Sequence, residues 1–432
     1  MKEFARYVTL SILGQLGFSC YIIADTFFIS KGLGANGLTA LNLAIPIYNF
    51  IFGCGLMFGI GGATKFSILK GMNRDKETDV IYSNTICMTI VISLLFSALG
   101  IFGAETLSKL LGADGQVFEM TTTYLRWILI FSPAFMLNAV LQSFVRNDGA
   151  PNLVMFAMLF GSFANIVLDY VFIFSMNLGI LGAVLATGSA PVVSMLIMLP
   201  HWIKKENTFH LVKTGIVLQN AGQIVSLGFP SFLAQVSGGI VMIIFNMLIL
   251  SLEGNVGVAA YGVIANISIV VTALYTGLAQ GMQPLLSASY GKGDNPGVKN
   301  TMKYGQGTMI AFSLLMYMGL FVFAPQITKV FNSEGNEMLQ KIAETGLKLY
   351  FTSNLFLGFN TVAATFFTSV ERALPAHILS LLRGLILIIP LAFIMSALWG
   401  MKGIWICFPM TEAMTAILGF FIYFKIIKTF SA

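Results

Sequence analysis

Twelve stretches of about 20 apolar residues, each separated from the next by a short polar break, run through this 432-residue chain and constrain its folding more than anything else in it. Hydrocarbon offers backbone N–H and C=O groups no partner outside their own segment, so every such stretch has to be a helix. The approximate limits are 6–29, 42–66, 80–103, 121–145, 152–175, 179–203, 222–251, 258–286, 304–324, 345–369, 375–398 and 403–427. Charged residues make up 10% of the chain, against roughly a quarter in soluble domains. That deficit excludes a disordered chain, a nucleic-acid-binding module and a secreted disulfide scaffold. Cys20, Cys54, Cys87 and Cys407 stand singly in apolar stretches without CxxC spacing and read as small buried hydrophobes. No small-residue cleavage site follows the first stretch, so it is expected to remain as an anchor.

Placing the N-terminus in the cytoplasm puts 17 of the 24 Lys and Arg residues on the inner side, among them Lys2, Arg6, Lys65, Lys70, Arg74, Lys204, Lys205 and Lys213. Cytoplasmic loops carry an excess of basic residues. Both termini are therefore expected inside, with an even number of spans.

The two halves resemble each other. Gly34-Ala35-Asn36-Gly37 recurs as Gly254-Asn255-Val256-Gly257, the Gly55/Gly59 pair as Gly277/Gly281, Pro151 as Pro375, and Gly179 with Gly182 as Gly400 with Gly403. Six spans per half is an even number, so the second copy enters the membrane in the same sense as the first. The expected fold is an all-α membrane protein of twelve transmembrane helices, in two six-helix bundles related by a pseudo-two-fold along the membrane normal. The bundles are expected at 1–210 and 211–432, joined by the charged segment around 204–220. The paired Gly-x-x-x-Gly elements read as close helix packing.

Ionisable side chains in hydrocarbon are costly and so point to function. Asp25 falls in the outer third of span 1. Asn165 and Asp169 share one face of span 5, with Asp169 at similar depth, and Thr187 lies eight residues into the inward-running span 6. Oxygen ligands gathered at one depth suit a proton or a small hard cation such as Na⁺. The matching positions of the second half, near Phe245 or Asn246 and Leu391, lack carboxylates. That half has its own membrane acid, Glu412, which suits a cationic substrate or, equally, a pairing with a neighbouring helix, with the polar side chains Gln235, Asn246 and Gln283 as further candidate substrate contacts. Arg383 and Lys65 are expected to snorkel to the headgroups.

Enzymatic signatures are absent from the sequence. Gly32 to Gly37 fits GxGxxG, but it lies between membrane helices and has no acidic residue about 20 positions on. No HExxH, GxSxG or Walker A pattern occurs. Neither a catalytic residue nor a cofactor is expected, only a coupling ion.

Asp25-Thr26 before the Gly32 to Gly37 loop, the run Gln142 to Pro151, the stretch Asn165 to Phe174, and Gly281-Met282-Gln283-Pro284 with Gly291 together resemble the multidrug and toxic compound extrusion (MATE) family, in its bacterial DinF/MepA-like branch. The resemblance covers essentially the whole chain. It implies a monomeric exporter of amphipathic or cationic drugs in the bacterial inner membrane, driven by inward H⁺ or Na⁺, with the coupling role on Asp25, Asn165, Asp169 and Thr187. Two departures stand out. Span 7 offers only Gln235 where the family's other branch has a cation-binding Glu, and Glu371-Arg372 replaces a Gly-Lys pair near the end of span 10. A flippase for lipid-linked oligosaccharides is the nearest alternative, but it would favour a cleft rich in Arg and Lys.

Overall fold

At Gly34 the backbone turns to φ 64, ψ −156, and it does so again at Gly254 with φ 61, ψ −153. A Cβ is disfavoured there. These two glycines divide the long helical runs Lys2–Gly71 and Leu218–Gly291 into spans 1 (2–33), 2 (35–71), 7 (218–253) and 8 (255–291). Gly400, at φ 57, divides Ile388–Ile427 in the same way. The computed structural model describes residues 1–332 and 335–430, helical throughout apart from short turns and the segment joining the halves.

The remaining spans are 3 (Asp75–Leu110), 4 (Gly115–Ile130 and Ser132–Asn147, bent by 46° between them), 5 (Pro151–Ser175), 6 (Gly179–Ile203), 9 (Asn295–Val322), 10 (Glu337–Tyr350 continuing through Phe351–Ser353 to Asn354–Ser369), 11 (373–399) and 12 (401–427). All twelve expected helices are thus present among the described residues. The short helix Ala324–Phe331 follows span 9.

Backbone conformation extends the internal repeat beyond what residue identity reveals. Positive φ recurs at Gly34 and Gly254, Asn73 and Gly293, Gly115 and Gly335, Gly149 and Glu371, and Gly179 and Gly400. Glu371 therefore occupies a left-handed turn that the first half builds with glycine. A non-glycine residue there costs about 1 kcal/mol.

Burial is inverted relative to a water-soluble protein. Leu94, Leu95, Ile101 and Phe102 of span 3 are exposed, while Asp25, Asn165, Asp169 and Glu412 are buried. This is the pattern of helices solvated by lipid. Cys54 and Cys407 are buried as expected, but Cys20 and Cys87 lie on exposed faces.

Packing gathers the chain into two compact units. One consists of Thr9–Val236 with Ser287–Gly293, the other of Met1–Val8, Ser237–Leu286 and Asp294–Ala432. In the first, Gly55 and Gly59 lie against Met136, Ala139 and Ser143 of span 4, as their spacing implied.

The charged segment after span 6, expected to join the halves, is fastened along the first unit. Phe209 is fully buried among Phe66, Tyr82, Phe144 and Trp202. The Val212 and Val217 N–H groups donate to Ser83 Oγ (2.9 Å) and Asn84 Oδ1 (2.7 Å). Asp148, between spans 4 and 5, anchors the start of the segment. Its carboxyl receives Lys70 Nζ (2.6 Å), the Thr208 N–H (2.9 Å) and the Thr208 hydroxyl, and lies 2.9 Å from His201 Nε2. Burial pushes this carboxyl up, but the bonds from His201, Lys70 and Thr208 outweigh it and hold it below the usual carboxylate range.

A carboxyl depressed on folding stabilises at pH above its unfolded value of about 3.9, and this contribution is lost as pH falls through the lower folded value. Asp148→Asn should therefore remove the acid-dependent part of the docking. At neutral pH it should weaken the docking by about 2 kcal/mol and speed tryptic cleavage at Lys204, Lys205 and Lys213 by roughly tenfold or more. Unchanged cleavage would show that the cluster does not fasten the segment.

Candidate functional site

Spans 1, 2, 4, 5 and 6 converge on a polar cluster inside the first unit. Span 1 contributes Tyr21 and Asp25, one helical turn apart. Span 2 adds Tyr48, span 4 Tyr124, span 5 Asn165 and Asp169, and span 6 Thr187. Asp25 is 7% exposed and Thr187 5%, while Asn165 and Asp169 are at 0%. The four residues singled out by depth in the sequence are thus brought together.

The carboxyls of Asp25 and Asp169 lie within hydrogen-bonding reach of each other. The Asn165 amide, with its nitrogen toward Asp169, donates to Asp169 Oδ2 (3.2 Å) and accepts from the Thr187 N–H (3.2 Å). The Tyr21 and Tyr48 hydroxyls lie 3.3 Å apart, and Tyr124 hydrogen-bonds Thr187. Oδ1 of each aspartate has no hydrogen-bond donor. Two bare carboxylates in such contact repel, and hydrocarbon around them offers no screening. The arrangement therefore calls for a positive charge, as a proton shared by the pair or a small cation held among the oxygens.

Local sequence shapes the site in two further ways. Pro191 sits inside span 6 and has no N–H for the carbonyl four residues earlier. The Thr187 carbonyl is therefore released from the helix ladder beside its own hydroxyl. Immediately after Asp169 the helix widens into a π-turn, Tyr170–Ser175, a distortion that recurs at functional positions. A donor set of two carboxylates, an amide and hydroxyls fits Na⁺ as well as H⁺. Among the described residues, no three His, Cys, Asp or Glu side chains gather as a metal site.

Sequence depth alone did not reveal Tyr21, Tyr48 and Tyr124. Tyr21 could have been found from its spacing to Asp25. The other two stand on separate helices, and one sequence carries no signal for their rotation toward the acids.

The candidates of the second half divide between the two units. Gln235 is half-buried beside Gly53 in the first unit, whereas Asn246 (half-buried), Gln283 (buried) and Glu412 (1% exposed) belong to the second. Arg383 departs from the sequence expectation, because it does not reach for headgroups. It donates from Nε (3.0 Å) and Nη2 (2.9 Å) to Glu412 Oε1, and Asn360 Nδ2 donates to Glu412 Oε2 (2.7 Å). Arg383 stands in the π-turn Leu382–Ile386 of span 11, with its side chain 20% exposed. A buried acid within reach of the guanidinium outweighs the pull of the interface. Removing one partner of such a pair costs about 3–5 kcal/mol.

Twelve spanning helices with paired acids buried inside one bundle define a membrane transporter and not an enzyme. The chain belongs to the MatE family, whose sequence model matches residues 11–171 and again 230–394, once in each half. It is 28% identical over 405 residues to the multidrug export protein MepA of Staphylococcus saprophyticus subsp. saprophyticus, covering 93% of this chain and 89% of that protein. To MepA of Staphylococcus aureus MRSA252 it is 26% identical over 429 residues, covering 98% and 93%. Among solved structures, a MOP superfamily transporter from Pyrococcus furiosus superposes with a TM-score of 0.92 at 23% identity, covering 100% of this chain and 96% of that one. A MATE protein in complex with MaL6 gives 0.93 at 23%, covering 100% and 97%. At such identity the structural likeness speaks for the fold.

Proposed function

We propose that the protein exports amphipathic and cationic drugs across the bacterial cytoplasmic membrane in exchange for inward H⁺ or Na⁺, working as a monomer with both termini inside. One observation carries this reading: the carboxyls of Asp25 and Asp169 meet in the hydrocarbon, each with an oxygen that lacks a donor. A cation bound there removes the repulsion between spans 1 and 5 and favours a different packing of these helices. Charge-dependent packing supplies the differential affinity for two conformations that coupling requires. The lobes 1–210 and 211–432 then alternate access to the two sides, with Asn165 and Thr187 as ligands of the cation and Asn246 and Gln283 as contacts for the drug. The relatives that bear the name of multidrug exporters support the substrate class. Membership of the MatE family weighs against a lipid-linked oligosaccharide flippase.

The test is efflux of ethidium, as a cationic probe, from proteoliposomes under separately imposed pH and Na⁺ gradients. At least one inward gradient should drive uphill ethidium movement, and the one that does identifies the coupling ion. Movement that follows the ethidium gradient alone under both conditions would defeat the proposal.

A further inference from the structure

Glu412 and Arg383 lie where a charge is hardest to keep. Arg383 is ten residues beyond Ala373 and Glu412 eleven beyond Met401, about 15 Å from the respective helix ends and so near the middle of a hydrocarbon layer about 30 Å thick. Among the described residues no basic side chain pairs with Asp25 or Asp169, whereas Glu412 has one bound to it. Its Oε1 takes two N–H groups of Arg383, its Oε2 takes the Asn360 amide, and the same amide also donates to the Glu412 carbonyl (2.9 Å). Thr361 Oγ1 in turn lies 3.4 Å from Arg383 Nη1. Among the described residues, Tyr350 of span 10 and Cys407 of span 12 are titratable groups near this cluster. Among the described residues, Arg383 is the cation paired with Glu412.

We infer that Arg383 masks Glu412: the ion pair commits the one acid of the second unit that is buried among the described residues, so that it exchanges neither a proton nor a drug cation, and ion coupling falls to Asp25 and Asp169 alone. The inference rests on the reading of those aspartates as the exchange site. The side-on geometry fits this role, because Nε and Nη2 both address one carboxylate oxygen while Asn360 occupies the other. Any other cation at this carboxylate would have to displace the guanidinium from Oε1 or the Asn360 amide from Oε2. Once Arg383 is removed, burial can be relieved only by a proton or another cation, and the second unit acquires an exchangeable site that the natural protein lacks. Arg383 thus acts as a positioning residue that sets how many cations accompany each drug.

Infrared difference spectroscopy of the purified full-length protein, between acid and neutral pH in H₂O and in D₂O, tests this through the carboxylic C=O band. Glu412→Gln should leave the wild-type spectrum without loss of any such band. Arg383→Gln should add one carboxyl's intensity, which disappears in Arg383→Gln/Glu412→Gln, while Arg383→Lys, which keeps a cation, adds none. A band lost from the wild type by Glu412→Gln, or no added band in Arg383→Gln, would overturn the inference. If Arg383→Gln fails to fold, the comparison of wild type with Glu412→Gln decides alone. The exchange-site reading is judged separately, by whether Asp25→Asn still pumps ethidium uphill, and its failure would leave the spectroscopic result on Glu412 standing.

Discussion

Asp25→Asn is expected to bring gradient-driven efflux down to the passive leak while the protein still folds and inserts. Asparagine keeps the size of the side chain and can donate to Asp169, so the contact between spans 1 and 5 survives. What disappears is the negative charge that has to be neutralised once per cycle. Without it the conformations no longer differ in cation affinity, and a ligand with equal affinity for both states shifts nothing. A coupling free energy of about 3 kcal/mol, the upper part of the usual range, corresponds to a drop of roughly 100-fold in the uphill rate. Asp169→Asn should behave alike, because either substitution removes one member of the same pair. Thr187→Val should cost less, since the Thr187 carbonyl freed by Pro191 and the Asn165 amide remain. Initial rates in proteoliposomes, with insertion checked by size-exclusion chromatography, measure the effect. An Asp25→Asn protein that accumulates ethidium against its gradient at the wild-type rate would remove Asp25 from the coupling mechanism.

Most of this fold is legible in the sequence because the bilayer imposes it. Hydrocarbon thickness sets the length of each apolar stretch, and the energetic cost of charge in lipid makes Asp25, Asp169 and Glu412 conspicuous. Depth along a helix can be counted from its polar ends, so the shared level of Asp25, Asn165, Asp169 and Thr187 is recoverable. Rotation about the helix axis is not. Tyr48 and Tyr124 are two of 13 tyrosines in a chain with 38 phenylalanines, and nothing in their spacing aims them at the acids. The Arg383–Glu412 pair was half legible. Glu412 counts well into span 12, but Arg383 counts to the inner part of span 11, and the habit of basic side chains to reach the interface obscured the pairing. The π-turn at Leu382–Ile386 has no evident sequence signal either. In the segment after span 6 the charges of Lys204, Lys205, Glu206 and Lys213 mark a junction, but its docking runs also through Phe209 and backbone N–H groups, which carry no charge and leave no sequence signal.

The other large effect is expected where two helices touch backbone to backbone. A Cβ added at Gly61 of span 2 would lie 1.9 Å from the Ile224 carbonyl oxygen, and one at Gly228 of span 7 would lie 1.8 Å from the Met57 carbonyl oxygen. The contact is reciprocal. Met57 and Gly61 are one turn apart on span 2, as Ile224 and Gly228 are on span 7, so each glycine receives the other helix's carbonyl one turn before its partner glycine. Small residues at such positions let helices approach in a medium with no hydrophobic force between them. A methyl group in this place cannot be met by rotating a side chain, because the obstacle is main chain, and the helices would have to separate by more than an ångström. Alanine is the better helix former by about 1 kcal/mol, yet Gly61→Ala or Gly228→Ala should destabilise the first unit by about 3 kcal/mol through overpacking. Gly222, six residues earlier on span 7, has nothing within 4 Å of its Cβ direction. Gly222→Ala should accordingly be neutral or slightly stabilising, and it isolates close approach from helix propensity in the same segment. Thermal unfolding in detergent, followed by the loss of the monodisperse chromatographic peak, compares the three variants. If Gly61→Ala and Gly222→Ala melt together with the wild type, spans 2 and 7 do not make this contact in the folded protein, and the glycines must serve a different conformation.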